Sequence, residues 1–279
     1  MKKIIAAIDG LKRSEGTQHY AIETARQTGS FLAGVFLEDF TYTSYKIYDL
    51  ITKEGVTEKE LRQFSEKDKS TRDAAVAVFE DACRRAGVSY SIHHDKNIAL
   101  QELLHESVYA DLLVIDSRET FSHYDDRMPT RFIRDMLPEV QCPVLLVPKA
   151  YKAVEKIILL YDGEPSSVHA VKMFSYIFPA LGVLPVEVIS AKGFYEDQHV
   201  PDNRLMKEYV KRHFPNASFT ILKGHAETSI LQHLQKEKQS VMIVLGAYKR
   251  SAVSRWLKQS LADTLMKEIE APLFIAHNK

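Results

Sequence analysis

The sequence predicts an α/β protein of two tandem doubly wound domains, each a five-stranded parallel sheet with helices on both faces. Short apolar runs alternate with segments of helical periodicity along the whole chain, which is typical of a parallel sheet covered by helices. The same motif occurs twice, as KKIIAAIDG at 2–10 and EKIILLYDG at 155–163. A chain of 279 residues has room for two domains of ordinary size.

Each strand is predicted from an apolar run bounded by polar or turn-forming residues. The first copy has its strands at Ile4–Asp9, Leu32–Leu37, Val88–His93, Asp111–Asp116 and Pro143–Pro148. The second copy has them at Lys156–Asp162, Val186–Ser190, Ser218–Lys223, Val241–Gly246 and Pro272–Ala276. The boundary between the copies lies near 148–154, so the predicted domains are 1–150 and 154–279.

The first copy carries an insertion after its second strand. Asp9 matches Asp162 at an offset of 153, but the offset falls to 131 at the helix after the third strand, which leaves about 22 extra residues within 39–69. Thr57 and Glu60 have the spacing of a capping box, so the insertion is predicted to lengthen the following helix. The tyrosine-rich part before that helix is a lid, an oligomer contact or a covering loop.

Composition excludes several classes of protein. Lys plus Arg and Asp plus Glu number 37 each, so no overall charge would draw the chain to nucleic acid or to an acidic membrane. No stretch approaches the roughly 18 consecutive apolar residues of a membrane span. Cys83 and Cys142 do not form a metal-binding or redox spacing, and a reduced cytoplasmic protein is the simplest expectation.

Enzyme signatures are absent as well. The chain has no GxGxxG, Walker, GxSxG or HExxH motif, so we expect no catalytic residue. His93, His94 and Asp95 are adjacent, but neighbouring side chains of a strand point to opposite faces, which disfavours a shared metal ion. We therefore predict no metal site.

Ligands of open parallel sheets bind at the carboxyl ends of the strands. Asp9-Gly10 and Asp162-Gly163 stand at this place in the two copies. Such a carboxylate can accept hydrogen bonds from a ribose or a base, and the glycine permits a tight turn. The alternative is that each aspartate only caps the turn or helix that follows.

The segment after the fourth strand of the second copy, GAYKRSAVSRWLKQS at 246–260, gives the most specific signal. Together with the DGEPS turn at 162–166 and the strands ADLLVIDS and CPVLLVP, it resembles the universal stress protein family over essentially the whole chain. The resemblance implies a Rossmann-like fold of the adenine nucleotide alpha-hydrolase type. It also implies a Gly-x2-Gly-x9-Gly-Ser/Thr loop that holds phosphate.

The second copy keeps the spacing of that loop but only one of its glycines. Gly246 takes the first glycine position, Lys249 and Gln259 replace the other two, and Ser260 takes the hydroxyl position. By resemblance, an adenine nucleotide such as ATP would bind here. The residues expected to bind it are Asp162, Gly163, Gly224, Gly246, Lys249 and Ser260.

The first copy has lost the loop further. Asp116 replaces the first glycine, Thr130 or Arg131 stands in place of Gly-Ser, and acidic residues follow at Glu119, Asp125 and Asp126. A phosphate group would face several carboxylates there, each a repulsion of about 1 kcal/mol or more near a surface. We therefore expect no nucleotide in the first copy.

Two hypotheses about function follow. In the first, the chain is a stress-response regulator or sensor that binds an adenine nucleotide in its second domain. In the second, it is a nucleotide-free scaffold that binds partner proteins or a small apolar ligand; slow ATP hydrolysis is a weaker third possibility. By resemblance, the two fifth strands are predicted to pair as an internal pseudo-dimer, and two chains could form a homodimer.

Overall fold

The computed structural model describes residues 2–39, 57–95, 97–122, 124–194, 199–246 and 261–277. Two compact units are present. Unit 1 comprises Met1–Cys142 with Lys149–Tyr151, and unit 2 comprises Pro143–Pro148 with Lys152–Lys279.

Unit 1 is a parallel sheet with the strand order β3-β2-β1-β4. Its elements are β1 (Lys3–Asp9), α1 (Glu15–Thr28), β2 (Phe31–Leu37), α2 (Glu58–Ala86), β3 (Tyr90–Asp95), α3 (Ala99–Ser107), β4 (Leu112–Asp116) and α4 (Arg131–Met136). β1 lies between β2 and β4, and every residue from Ile4 to Asp9 is buried, as expected for a central strand with both faces covered.

Helix α2 begins as the sequence predicts. The Thr57 hydroxyl accepts from the backbone N–H of Glu60, and the Glu60 carboxylate accepts from the N–H of Thr57, which completes the capping box. The helix ends at Gly87, with φ of 66°, and the N–H of Val88 donates to the Cys83 carbonyl at 3.0 Å. Val88 therefore belongs to the end of the helix, and β3 starts two residues later than predicted.

Unit 2 has the strand order β5-β10-β9-β6-β7-β8. Its strands are β5 (Val144–Val147), β6 (Lys156–Leu160), β7 (Val186–Lys192), β8 (Ala217–Lys223), β9 (Val241–Gly246) and β10 (Leu273–Ala276). Its helices are α5 (Pro165–Ile177), a 3-10 helix (Pro179–Val183), α6 (Asn203–His213), α7 (Ala226–Leu234) and α8 (Leu261–Glu268). The predicted α/β class is confirmed, with doubly wound, mainly parallel sheets.

The two predicted fifth strands pair with each other. β5 runs antiparallel to β10, with Leu146 opposite Leu273 and Val144 opposite Ile275. The repeat in the sequence assigns β5 to the first copy, whereas its contacts group it with unit 2. Both strands are fully buried, so this pairing covers edges that would otherwise attract other strands.

An ion pair recurs at the start of the first strand of each copy. Lys3 pairs with Glu106 at 3.1 Å, and Lys156 pairs with Glu237 at 2.6 Å. Lys156 also contacts Glu187 at 2.8 Å, and the Glu187 side chain is only 8% exposed. Burial lowers the pKa of Lys156, but its hydrogen bonds to the two glutamates raise that pKa above its ordinary value. The lysine therefore remains charged and compensates a buried carboxylate.

Replacing Lys156 with methionine is expected to lower the free energy of unfolding by about 3 kcal/mol, because it leaves Glu187 buried without its main cation. The Lys3→Met change is the matched control. The Lys3 side chain is 29% exposed and pairs with the carboxylate of Glu106. We therefore expect this change to lower the free energy of unfolding by about 1 kcal/mol. Urea unfolding followed by circular dichroism measures both values. Equal costs in the two variants would contradict this account of Glu187.

Candidate functional site

Asp162 stands at the carboxyl end of β6 and organises the turn into α5. Its Oδ1 accepts the Glu164 backbone N–H at 2.9 Å and the Ser167 hydroxyl at 2.7 Å. Among the described residues, the two donors to this carboxylate both contact Oδ1 and neither contacts Oδ2. The side chain is exposed, so Oδ2 can accept a hydrogen bond from a ligand hydroxyl without disturbing the turn.

A cavity of about 320 Å³ opens beside this carboxylate in unit 2. It lies at the carboxyl ends of β6, β7 and β9, where ligands of parallel sheets bind. Its polar lining includes Asp162, Ser166 and Ser167. Its apolar lining includes Ile189, Ala191, Ala226 and Ile230. A volume at the lower end of the range for small-molecule sites, with few polar groups, suits a flat ring system and a sugar.

Gly246 closes one side of the cavity and has a packing role of its own. A Cβ at this position would lie 2.6 Å from the backbone carbon of Ser166 and 2.7 Å from the Ser167 nitrogen. Only glycine therefore lets the end of β9 approach the first turn of α5. The sequence predicts Gly246 as a phosphate-loop glycine, but this close approach already accounts for it.

The other predicted glycines also lie around this end of unit 2. Gly163 has φ of 88°, and a Cβ there would meet the Pro201 side chain at 2.6 Å. Gly224 has φ of 113°, and a Cβ there would lie 3.4 Å from Cζ of Phe194. Lys249 and Ser260 fall outside the described residues, so their assignment to a phosphate loop stays a prediction.

Unit 1 differs at the same end of its sheet. A cavity between Gly10, Leu37, Arg72 and Asp95, against β2, β3 and α2, measures about 20 Å³, enough for roughly one water molecule. Arg72 comes from α2 and lies against Gly10, with its Cγ 3.0 Å from the place of a Cβ on that glycine. The helix that contains part of the insertion thus covers the first Asp-Gly turn.

Register explains a second difference between the units. Leu37 lies opposite Asp9 in the β1–β2 pair. Ala191 lies two residues beyond the Leu160–Ile189 pair, which places it opposite Asp162. A leucine in unit 1 therefore takes the place of an alanine that lines the unit 2 cavity.

Glu119 is the third difference, and it is buried. Glu119 is 7% exposed, and its Oε1 accepts hydrogen bonds from the backbone N–H groups of Thr120 and Phe121, both at 2.9 Å. Burial raises the pKa of Glu119 to about 8, with a further rise from the nearby Asp9. Near neutral pH, Glu119 is therefore mainly uncharged. From the sequence, it is predicted to be one of the carboxylates that would repel phosphate.

The other residues named for the loop of the first copy have different roles. Thr130 is the N-cap of α4 and accepts from the N–H of Ile133 at 3.2 Å. Asp125 and Asp126 are exposed, and Asp126 accepts from the backbone N–H of Arg131. Glu119, Asp125 and Asp126 are predicted from the sequence as acids that would repel phosphate, and of these three only Glu119 is buried.

No protein-family model matches the chain. A universal stress protein of Synechocystis sp. is 20% identical over 288 residues, covering 98% of this chain and 99% of the relative. The crystal structure of a universal stress protein from Archaeoglobus fulgidus matches with a TM-score of 0.71 over 99% of this chain and 98% of its own, at 13% identity. The chain has the fold of a tandem universal stress protein.

The predicted resemblance to universal stress proteins is thereby confirmed over both units. A protein of unknown function from Pseudomonas aeruginosa PAO1 has the same fold, with a TM-score of 0.60, 18% identity, and 99% of this chain and 92% of its own covered. Among the described residues, no helix is long and apolar enough to cross a membrane. The same ranges contain no group of three or more His, Cys, Asp or Glu that could hold a metal ion.

Several residues that line the unit 2 cavity escape sequence reasoning. Ala191, Ile189, Ala226 and Ile230 look like ordinary core or helix residues, and Ser167 looks like a helix residue. One signal was available for Ala191. Aligning the second strands of the two copies on their Asp-Gly neighbours sets Ala191 against Leu37 near the end of the strand.

Proposed function

We propose that the chain is a stress-response regulator whose unit 2 binds one adenine nucleotide in the cavity beside Asp162. The observation that carries this proposal is the cavity of about 320 Å³ in unit 2, which opens beside the Asp162 carboxylate at the carboxyl ends of β6, β7 and β9. The base would lie against Ile189, Ala191 and Ile230, and the ribose hydroxyls would donate to Asp162 Oδ2. Lys249 and Ser260 would contact phosphate, as the resemblance implies.

Binding, rather than turnover, is the role we propose. The polar groups of the cavity wall suit recognition, because a carboxylate and two serine hydroxyls can orient a sugar. A bound nucleotide would then bias a contact with a partner protein or with a second copy of the chain in the cytoplasm. The pairing of β5 with β10 already uses the fifth strands inside one chain, so a homodimer would need a different surface.

Calorimetric titration of the full chain with AMP and with ATP tests this proposal. Asp162→Asn keeps an oxygen for the Glu164 N–H and the Ser167 hydroxyl but replaces the second acceptor with a donor. We expect about tenfold weaker binding in this variant. Asp9→Asn is the matched control in unit 1 and should leave the affinity unchanged. Equal affinities for the wild type and Asp162→Asn would contradict the placement of the ribose.

A second function is favoured by the apolar side of the cavity. Leu160, Ile189, Ile230 and Leu245 would equally suit a small apolar ligand without phosphate. If neither nucleotide binds but an apolar dye such as anilinonaphthalene sulfonate binds in the cavity, unit 2 is a receptor for apolar ligands. Competition of the dye by AMP, in contrast, supports the nucleotide site.

A further inference from the structure

The segment after β4 in unit 1 buries an acid that the proposed nucleotide site does not use. Glu119 is 7% exposed and lies near Asp9 and Asp116, which are each 8% exposed. Its Oε1 already accepts two backbone N–H groups, from Thr120 and Phe121. A proton on Oε2 would keep the group neutral beside two carboxylates.

The same carboxyl group holds a strained backbone. Phe121 has φ of 44°, in the left-handed region that residues with a Cβ rarely adopt. Its side chain is 5% exposed, and its ring centroid lies 4.7 Å from that of Phe132. Such a conformation persists where its surroundings hold it. Here the Phe121 N–H donates to Glu119, and the Thr130 hydroxyl donates to the Glu119 carbonyl at 2.6 Å.

Four charged or titratable groups reach this cluster from the neighbouring segments. Asp9 comes from β1, Asp116 from β4, Arg72 from α2, and Lys12 from the loop after β1. Burial raises the pKa of Asp9, while Arg72 and Lys12 act in the opposite direction. Lys12 also donates to the Ser122 carbonyl at 2.7 Å, which ties the segment to that loop.

We propose that unit 1 is a proton-sensing module: the segment 117–122 stays packed on the sheet while Glu119 carries a proton and is released when that proton is lost. Ionisation of Glu119 would place a negative charge in a buried position beside Asp9 and Asp116. Moving the carboxylate into solvent would relieve both the charge repulsion and the cost of desolvation. The Phe121 ring would leave its pocket with the segment. The ligand of this module is a proton.

The sign of the pH dependence follows from the raised pKa. Folding favours the protonated form of Glu119, because its folded pKa of about 8 lies above the ordinary glutamate value of 4.5. The stabilisation is complete below that ordinary value. It is lost as pH rises through the folded pKa, so release occurs on the alkaline side of neutrality.

Hydrogen exchange of the full chain between pH 6 and 9.5 tests the proposal, with exposure times scaled to the intrinsic exchange rate. Protection of the Thr120 and Phe121 amides is expected to fall about tenfold between pH 7 and 9, following the ionised fraction of a group with a pKa near 8. The amides of β6 serve as an internal reference with constant protection. In Glu119→Gln the amide oxygen keeps both N–H bonds without a charge, so protection should not depend on pH.

Two results would overturn the proposal. One is protection of segment 117–122 that is independent of pH in the wild type, and the other is the same fall in Glu119→Gln. If Glu119→Gln does not fold, Asp116→Asn provides the second variant. Removing this facing charge should lower the pKa of Glu119 and move the midpoint of release to lower pH, and an unchanged midpoint would contradict the proposal.

Discussion

Replacing Ala191 with leucine is expected to abolish nucleotide binding to unit 2 while the unit stays folded. The larger side chain would enter the 320 Å³ cavity at its apolar wall, between β7 and α7. Unit 1 has leucine at the same register position, in Leu37, and this residue lines a cavity of about 20 Å³. We expect a loss of affinity for AMP of at least about 100-fold, or about 2.7 kcal/mol. Calorimetric titration measures it.

The unfolding free energy separates this effect from general damage. Filling an apolar cavity with an apolar group removes empty space, so Ala191→Leu should not lower stability by more than about 1 kcal/mol. Leu37→Ala is the reciprocal control. It should not create a nucleotide site, because Glu119 and Arg72 remain in place. A folded Ala191→Leu protein that binds AMP normally would show that the base lies elsewhere.

The Gly246→Ala change is expected to lower the free energy of unfolding by about 2 to 3 kcal/mol. Its Cβ would meet three backbone atoms of Ser166 and Ser167 within 2.7 Å, and backbone cannot rotate out of the way as a side chain can. Chemical denaturation measures this cost. Loss of nucleotide binding in this variant would follow from displacement of α5, so binding alone cannot identify Gly246 as a ligand contact.

Gly87→Ala is the matched control for Gly246. Gly87 ends α2 with φ of 66°, and a Cβ there would meet no atom within 4 Å. The change therefore costs only the left-handed backbone penalty of about 1 kcal/mol. If Gly246→Ala costs no more than Gly87→Ala, the close approach of β9 to α5 is not the reason for the glycine.

The strands and the helix caps could be predicted from the sequence because they depend on local pattern. The capping box of Thr57 and Glu60 and the Asp-Gly turns after β1 and β6 are signals of this kind. Each is formed by residues within five positions of one another. The resemblance to universal stress proteins likewise rests on contiguous motifs.

The shape of the site could not be predicted, because it depends on contacts between distant residues. The reason for glycine at 246 is the backbone of residue 166, which lies 80 positions earlier. Arg72 lies on Gly10 because α2 crosses the turn, and no local pattern shows that crossing. Glu119 looks in the sequence like one of several exposed acids. Its burial follows only from the path of the chain after β4.

The stoichiometry of adenine nucleotide binding tests the central claim most directly. Titration of the full chain with AMP should give one site per chain, present in Leu37→Ala and absent in Ala191→Leu. Two sites per chain would show that unit 1 is open, and one site that survives in Ala191→Leu would place the nucleotide outside the unit 2 cavity. Either result would contradict the account of one open and one closed unit.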